Sequence, residues 1–257
     1  MPEFDPYNAL VPMFLGTTLP KRFQQIGSAV FLQLHGEPFL LTAAHVTDEL
    51  GGGELFVPTG EGFSHIEGYM AHIDLPPEIA RQEDTLDIAY YRLTSRFARL
   101  LSHHFTALPQ SRSELVQSAY ELTACSASGY PATKSKKSGE VFSSEIFSFR
   151  GVVAQPQTYE QLGLSPASSI VIHFHKKRAV YPKILEKFPT PSLKGISGGG
   201  IFAWPAGAEI SDDWSLPYLV GIVHTFKERE GLIIGTTFLP ILAAIALGRM
   251  KRFGDIE

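Results

Sequence analysis

Apolar residues along this chain gather in short runs the length of β-strands, separated by turn residues. "SAVFLQL" (28–34) and "PFLLTA" (38–43) are almost continuously apolar and flank His35, Gly36 and Glu37, which predicts a hairpin. "LDIAYYRL" (86–93), "AYELTACSA" (119–127), "SSIVIHFH" (168–175), "YLVGIVHTF" (218–226) and "GLIIGTTF" (231–238) are further predicted strands. Most of the 23 glycines and 18 prolines fall between these runs, where turns belong.

Helical signals are few. "AHVTDEL" (44–50) has room for one or two turns before Gly51, Gly52 and Gly53 stop it. "SRFARLLSHHF" (95–105) fits a short helix or an irregular strand. "PILAAIALGRMKR" (240–252) is the best-marked helix, with Pro240 in its first turn and three basic residues after Gly248. "KSKKSG" (134–139) reads as a solvated loop, and no repeat or heptad pattern is present. Many short strands closed by one helix predict an all-β chain built as barrels or a sandwich, with a divide near residues 111–117.

Composition narrows the class. A chain of 257 residues, 44% apolar and 19% charged, can bury one large β core or two smaller ones. A formal charge of -4 argues against nucleic acid as the main partner. Cys125 is the single cysteine, so an intrachain disulfide is excluded and a reducing compartment fits. The start, "MPEFDPYNALVPMFLG", lacks the basic region of a secretory signal, and "LPILAAIALG" (239–248) is far shorter than a membrane span. The expectation is a soluble, cytoplasmic protein that acts at no membrane.

Three places in the chain carry candidate chemistry. His45 ends "LLTAAHV", where a strand runs into small residues and a helical turn, so its imidazole sits at the rim of a sheet. Asp87 heads the otherwise apolar "DIAYYRL", a carboxylate that is costly to bury unless something donates to it. Ser197 lies in "GISGGG" (195–200), among glycines that permit positive φ and close backbone approach. His, Asp and Ser in that chain order is one of the known orders of a nucleophilic triad.

These motifs resemble those of the chymotrypsin/trypsin-like serine peptidases. "LTAAHV" is similar to the family's histidine motif, "DIAYYRL" to its aspartate motif and "GISGGG" to its serine motif. "SGYP" (128–131) resembles the start of the second barrel in bacterial members, and "LVGIVHTF" with "GLIIGTTF" resembles the closing strand pair before the C-terminal helix. The resemblance implies two packed antiparallel β-barrels and a C-terminal helix. Residues 1–26 would form an N-terminal extension, 27–112 a first barrel with His45 and Asp87, and 113–257 a second barrel with Ser197 and the helix. It implies a serine endopeptidase acting on protein or peptide substrates with no metal or organic cofactor. Ser197 would be the nucleophile, His45 the general base and Asp87 the residue that orients it. The N–H groups of Gly195 and Ser197 would form the oxyanion hole, and activity would rise with pH as His45 loses its proton.

Two positions depart from the family pattern. Ile196 stands where many secreted members carry an aspartate that pairs with a newly cut N-terminus, and Gly200 stands where proline is usual. Isoleucine cannot make that ion pair, so the expectation is a pocket that is preformed, or one ordered by substrate or a regulatory protein partner. By motif alignment, Pro191 marks the pocket floor, with walls from Thr225, Phe226 and Gly231. None is acidic, which points to small or medium apolar side chains in the substrate. An alternative is a catalytically inactive peptide-binding module on the same fold, and a third is an esterase using the same triad.

Other residues weigh less. His173 and His175 share a strand face without an obvious third metal ligand, and His103-His104 flank a surface segment. Cys125 reads as a buried thiol, and the lysines of 134–137 and the basic run 176–178 as solvated charge. The resemblance places His224 where a residue often hydrogen-bonds the triad aspartate.

Overall fold

The structure, a computed structural model, describes residues 5–18, 21–48, 53–72, 75, 78–134, 136–138, 141–180, 192–204 and 217–254. Its first half holds β1 (Leu10–Thr18), β2 (Lys21–Leu34), β3 (Glu37–Ala43), α1 (Ala44–Asp48), β4 (Glu54–Thr59), β5 (Gly62–His65), β6 (Gly68–His72), β7 (Ile88–Leu93), α2 (Ser95–Leu101) and β8 (Leu108–Pro109). The second half holds β9 (Ala124–Gly129), β10 (Lys136–Ser138), β11 (Val141–Ser143), β12 (Phe147–Val153), α3 (Pro156–Leu162), β13 (Ser169–Val180), β14 (Gly200–Ala203), β15 (Tyr218–Lys227), β16 (Leu232–Thr237) and α4 (Phe238–Gly254).

The second half closes into a six-stranded barrel in the order β12-β13-β16-β15-β14-β9. The first forms a sheet in the order β5-β4-β1-β2-β3-β7-β6, with β8 pairing β2, and its ends do not join among the described residues. The architecture is therefore all-β, a closed barrel packed on a half-barrel with one C-terminal helix.

Both faces of the central strands are buried, which explains their unbroken apolar runs. On β2, Ala29 and Phe31 face the core of the first sheet with Val11, Met13 and Leu40. Val30, Leu32 and Leu34 turn the other way, into a cluster with Phe39, Leu41, Phe202, Leu219 and Ile222 that cements the two halves. Phe238, Ile241 and Ile245 of α4 complete this middle layer. A third cluster, with Ile170, Ile172, Ile201 and Val223, fills the closed barrel. The β2–β3 hairpin turns on His35 (φ 49°) and Gly36 (φ 79°), the paired positive angles of the tight turn that matches strand twist.

Three local expectations differ from what is observed, and one open alternative is decided. Residues 10–18, within the stretch assigned to an N-terminal extension, form β1 and pair with β2 from Leu10↔Val30 to Thr18↔Lys21. Pro12 and Gly16 disguise this strand; Pro12 lies beyond the short stretch that pairs with β4, on an edge where proline is tolerated. The run 119–127 is not one strand: Ser118 caps a 3-10 turn at Ala119–Glu121, and β9 begins only at Ala124. The segment 134–139 contributes β10, which pairs with β11 as a small hairpin. The 95–105 stretch resolves as α2, whose first turn is capped by the Thr94 hydroxyl accepting from the Phe97 N–H at 3.1 Å.

Candidate active site

His45 is the second residue of α1, directly after β3. Asp87 immediately precedes β7, the strand next to β3, so the two residues meet at one end of a strand pair. The His45 Nδ1–H donates to Asp87 Oδ2 at 2.6 Å, and the His45 backbone N–H donates to Oδ1 of the same carboxylate at 2.9 Å. An ionised carboxylate only accepts, so the ring holds its proton on Nδ1 and Nε2 is its basic nitrogen. The His45 side chain is 33% exposed and that of Asp87 only 6%, so the ring is reachable and the carboxylate is not. Burial works to raise the Asp87 pKa. The hydrogen bond and charge of His45, its backbone N–H and the nearby His224 outweigh burial and hold the carboxyl below the usual carboxylate range.

Asp87 adopts φ 44°, a left-handed conformation that costs energy unless its surroundings enforce it. Several contacts do so. The Asp87 carbonyl accepts from the Ala44 N–H at 3.0 Å. The Leu86 N–H donates to Asp84 Oδ1 at 3.0 Å, and the Thr236 hydroxyl, reaching across from the second barrel, donates to the Leu86 carbonyl. Arg81 ties Asp84 to Asp48 of α1, at 2.8 and 2.7 Å.

Ser197 comes from the other barrel, in the turn that leads into β14. Gly195 (φ 98°) and Gly198 (φ 85°) give this turn its shape. A Cβ on Gly198 would lie 2.0 Å from the Ser28 carbonyl oxygen and 2.2 Å from Thr42 Oγ1, so glycine lets the turn press against β2 and the end of β3 beside His45. The Gly195 and Ser197 N–H groups donate to no described residue.

The Ser197 hydroxyl donates to the His224 carbonyl at 3.1 Å rather than to His45. His224 is the extra residue of a bulge in β15, where Val223 pairs with Gly235 and Thr225 with Ile234. The bulge takes the His224 carbonyl out of that ladder and buries the ring near Asp87 and His45. Its Nδ1 bonds Thr225 Oγ1 at 2.9 Å, while Nε2 is buried without a hydrogen bond among the described residues. Burial pushes the His224 pKa down to about 4, so the ring is neutral at pH 7.

The other expected residues fall as follows. Phe226 packs against the closed-barrel core and against Phe174, ring centroids 5.2 Å apart. Gly231 has φ 66°, and its carbonyl accepts from the Phe174 N–H at 3.0 Å. Pro191 and the side chain of His175 lie outside the described residues. His173 and His103-His104 are exposed, and no group of three or more metal-ligating side chains occurs among the described residues. Cys125 is fully buried, its thiol pushed up to about 12 by burial. No helix among the described residues is long and apolar enough to cross a membrane.

Sequence reasoning missed Thr236, Asp84 and Ser28, the polar residues that hold the site together. For Ser28 and Thr236 the signal was a hydroxyl standing in or beside an apolar run, as in "GSAVFLQL" and "IIGTTF"; Asp84, in the polar stretch "RQEDT", carried none. Such residues are buried only when they have partners.

No protein-family model and no curated protein matches this sequence. Solved structures do match its fold. Neuropsin, a serine protease expressed in the limbic system of mouse brain, aligns with a TM-score of 0.56 at 14% identity over 97% of this chain and 96% of its own. The VesB protease of Vibrio cholerae aligns with a TM-score of 0.51 at 15% identity over 91% of this chain and 63% of its own. With identity this low the likeness is one of architecture, and it places the chain in the two-barrel fold of the chymotrypsin-like proteases.

Proposed function

We propose that the protein is a serine endopeptidase that cleaves proteins or peptides through an acyl-enzyme on Ser197. The observation that carries this reading is the doubly hydrogen-bonded His45–Asp87 pair, with the carboxylate buried and held ionised. In the reaction, Ser197 Oγ attacks the scissile carbonyl and passes its proton to His45 Nε2. Asp87 stabilises the imidazolium. The Gly195 and Ser197 N–H groups receive the oxyanion, and one such donor is worth about 100- to 1,000-fold in rate. His45 returns the proton to the leaving amine, then activates the water that frees Ser197.

One observation favours a second reading, a peptide-binding module without turnover: the Ser197 hydroxyl is engaged by the His224 carbonyl. A single neutral hydrogen bond of this kind is worth about 1 kcal/mol net, and rotation about one side-chain torsion breaks it. That is small beside a catalytic barrier, so the peptidase reading stands first.

The deciding experiment is intact mass after exposure to a fluorophosphonate, on wild type and on Ser197→Ala. One adduct on wild type that is absent from the variant supports the peptidase. No adduct on folded wild-type protein favours the binding module.

A further inference from the structure

We propose that Ser28, on the first barrel, is a positioning residue that clamps the Ser197 turn, so that the oxyanion pocket is formed without activating cleavage. The proposal rests on the peptidase reading for its catalytic consequence but on hydrogen bonds for its geometry.

The turn is held at every carbonyl from residue 194 to 197. The Lys194 carbonyl accepts from the Ala132 N–H at 2.8 Å, and the Ile196 carbonyl from the Gly199 N–H at 2.8 Å. The Gly195 carbonyl accepts from the Ser28 hydroxyl at 2.8 Å, and the Ser197 carbonyl from the Ser28 N–H at 2.7 Å. In a trans peptide the N–H points opposite the preceding carbonyl. Fixing the carbonyls of Lys194 and Ile196 therefore aims the Gly195 and Ser197 N–H groups, the two left without described partners.

Ser28 is the hub of this arrangement. It contacts the turn twice, is fully buried, and its hydroxyl oxygen also accepts from the Tyr130 N–H at 2.8 Å. Thr42 in turn donates to the Ser28 carbonyl at 2.8 Å, so β2 and β3 are braced beneath the clamp. Gly195, at φ 98°, is the soft point, because a residue without a Cβ leaves the adjoining peptides the freedom to rotate. The Ser28 hydroxyl grips the carbonyl of that residue. Ile196 supplies a second anchor, 1% exposed in the core of the closed barrel. An apolar anchor and a serine clamp within the chain need no new N-terminus to complete them.

The test uses full-length wild type, Ser28→Ala and Ser28→Cys, the last keeping the volume with a weaker donor. Kinetics on a peptide ester are read well below each melting temperature, with ¹⁵N relaxation dispersion at the Gly195 and Ser197 amides. The expected result for Ser28→Ala is kcat lower by about 10- to 100-fold with KM within about twofold, and Ser28→Cys between it and wild type. Dispersion is expected flat in wild type and present in Ser28→Ala. A flat profile in folded Ser28→Ala overturns the clamp whatever the kinetics, as does wild type that gains activity only after N-terminal cleavage. If wild type neither turns over nor reacts with a fluorophosphonate, the peptidase reading falls, and dispersion alone decides the clamp.

Discussion

His45 donates to both oxygens of Asp87, through its ring at 2.6 Å and through its own backbone N–H at 2.9 Å. The ring bond sets the tautomer, and the backbone bond fixes the carboxylate relative to α1, so side chain and main chain agree on one geometry.

Asp87→Asn would retain the shape but offer an amide that can donate toward Nδ1, which favours the wrong tautomer of His45. Turnover is expected to fall on the order of 10⁴-fold, with the fluorophosphonate labelling rate falling alongside. Labelling at the wild-type rate would remove Asp87 from the site's chemistry.

His224 makes stability depend on pH with a defined sign. Its pKa falls from 6.5 in the unfolded chain to about 4 in the fold, so between those values the unfolded state binds a proton that the native state does not. Stability is therefore full above pH 6.5 and declines toward pH 4, by on the order of 3 kcal/mol from this group. Urea unfolding at pH 7.0 and pH 4.5 is expected to show most of this loss in wild type and a smaller loss in His224→Asn. Asp87 acts in the same direction at lower pH, because its depressed pKa makes its contribution disappear below the ordinary carboxylate range. Equal slopes for wild type and His224→Asn between pH 7.0 and 4.5 would rule the histidine out as their source.

Gly198→Ala places a Cβ where the Ser28 carbonyl and the Thr42 hydroxyl already stand, at a residue with φ 85°. Strain and overlap together are expected to cost about 3 kcal/mol or more. Chemical denaturation measures this directly, and a loss below 1 kcal/mol would contradict the close approach of the two barrels.

Thr236→Val removes the hydroxyl that reaches from the second barrel to the Leu86 carbonyl, at nearly constant volume. A stability loss of about 1–2 kcal/mol is expected. Turnover should drop on the order of tenfold, because the peptide leading into the strained Asp87 loses its brace. Unchanged turnover with reduced stability would confine Thr236 to a structural role.

Much of this protein is legible in one dimension. The strands of the β2–β3 hairpin, β7, β15 and β16 appear as apolar runs because burial on both faces leaves no polar alternation. The segments around His45, Asp87 and Ser197 stand out because each sets a polar residue against an apolar or glycine-rich run, whereas the pairing of His45 with Asp87, 42 residues apart, belongs to the fold. Tertiary structure decided the rest. β1 joined the first sheet because a long partner strand outweighed a proline and a glycine. The clamp on Ser197 joins Ser28 to Gly195 and Tyr130, 167 and 102 residues away, a link that no local pattern encodes. The same holds for Thr236 and Leu86, 150 residues apart. Short-range patterning specifies strands and turns because those depend on neighbouring residues. Which buried hydroxyl meets which carbonyl depends on how two barrels pack, and that contact fixes the peptide that lies between the Gly195 and Ser197 N–H groups.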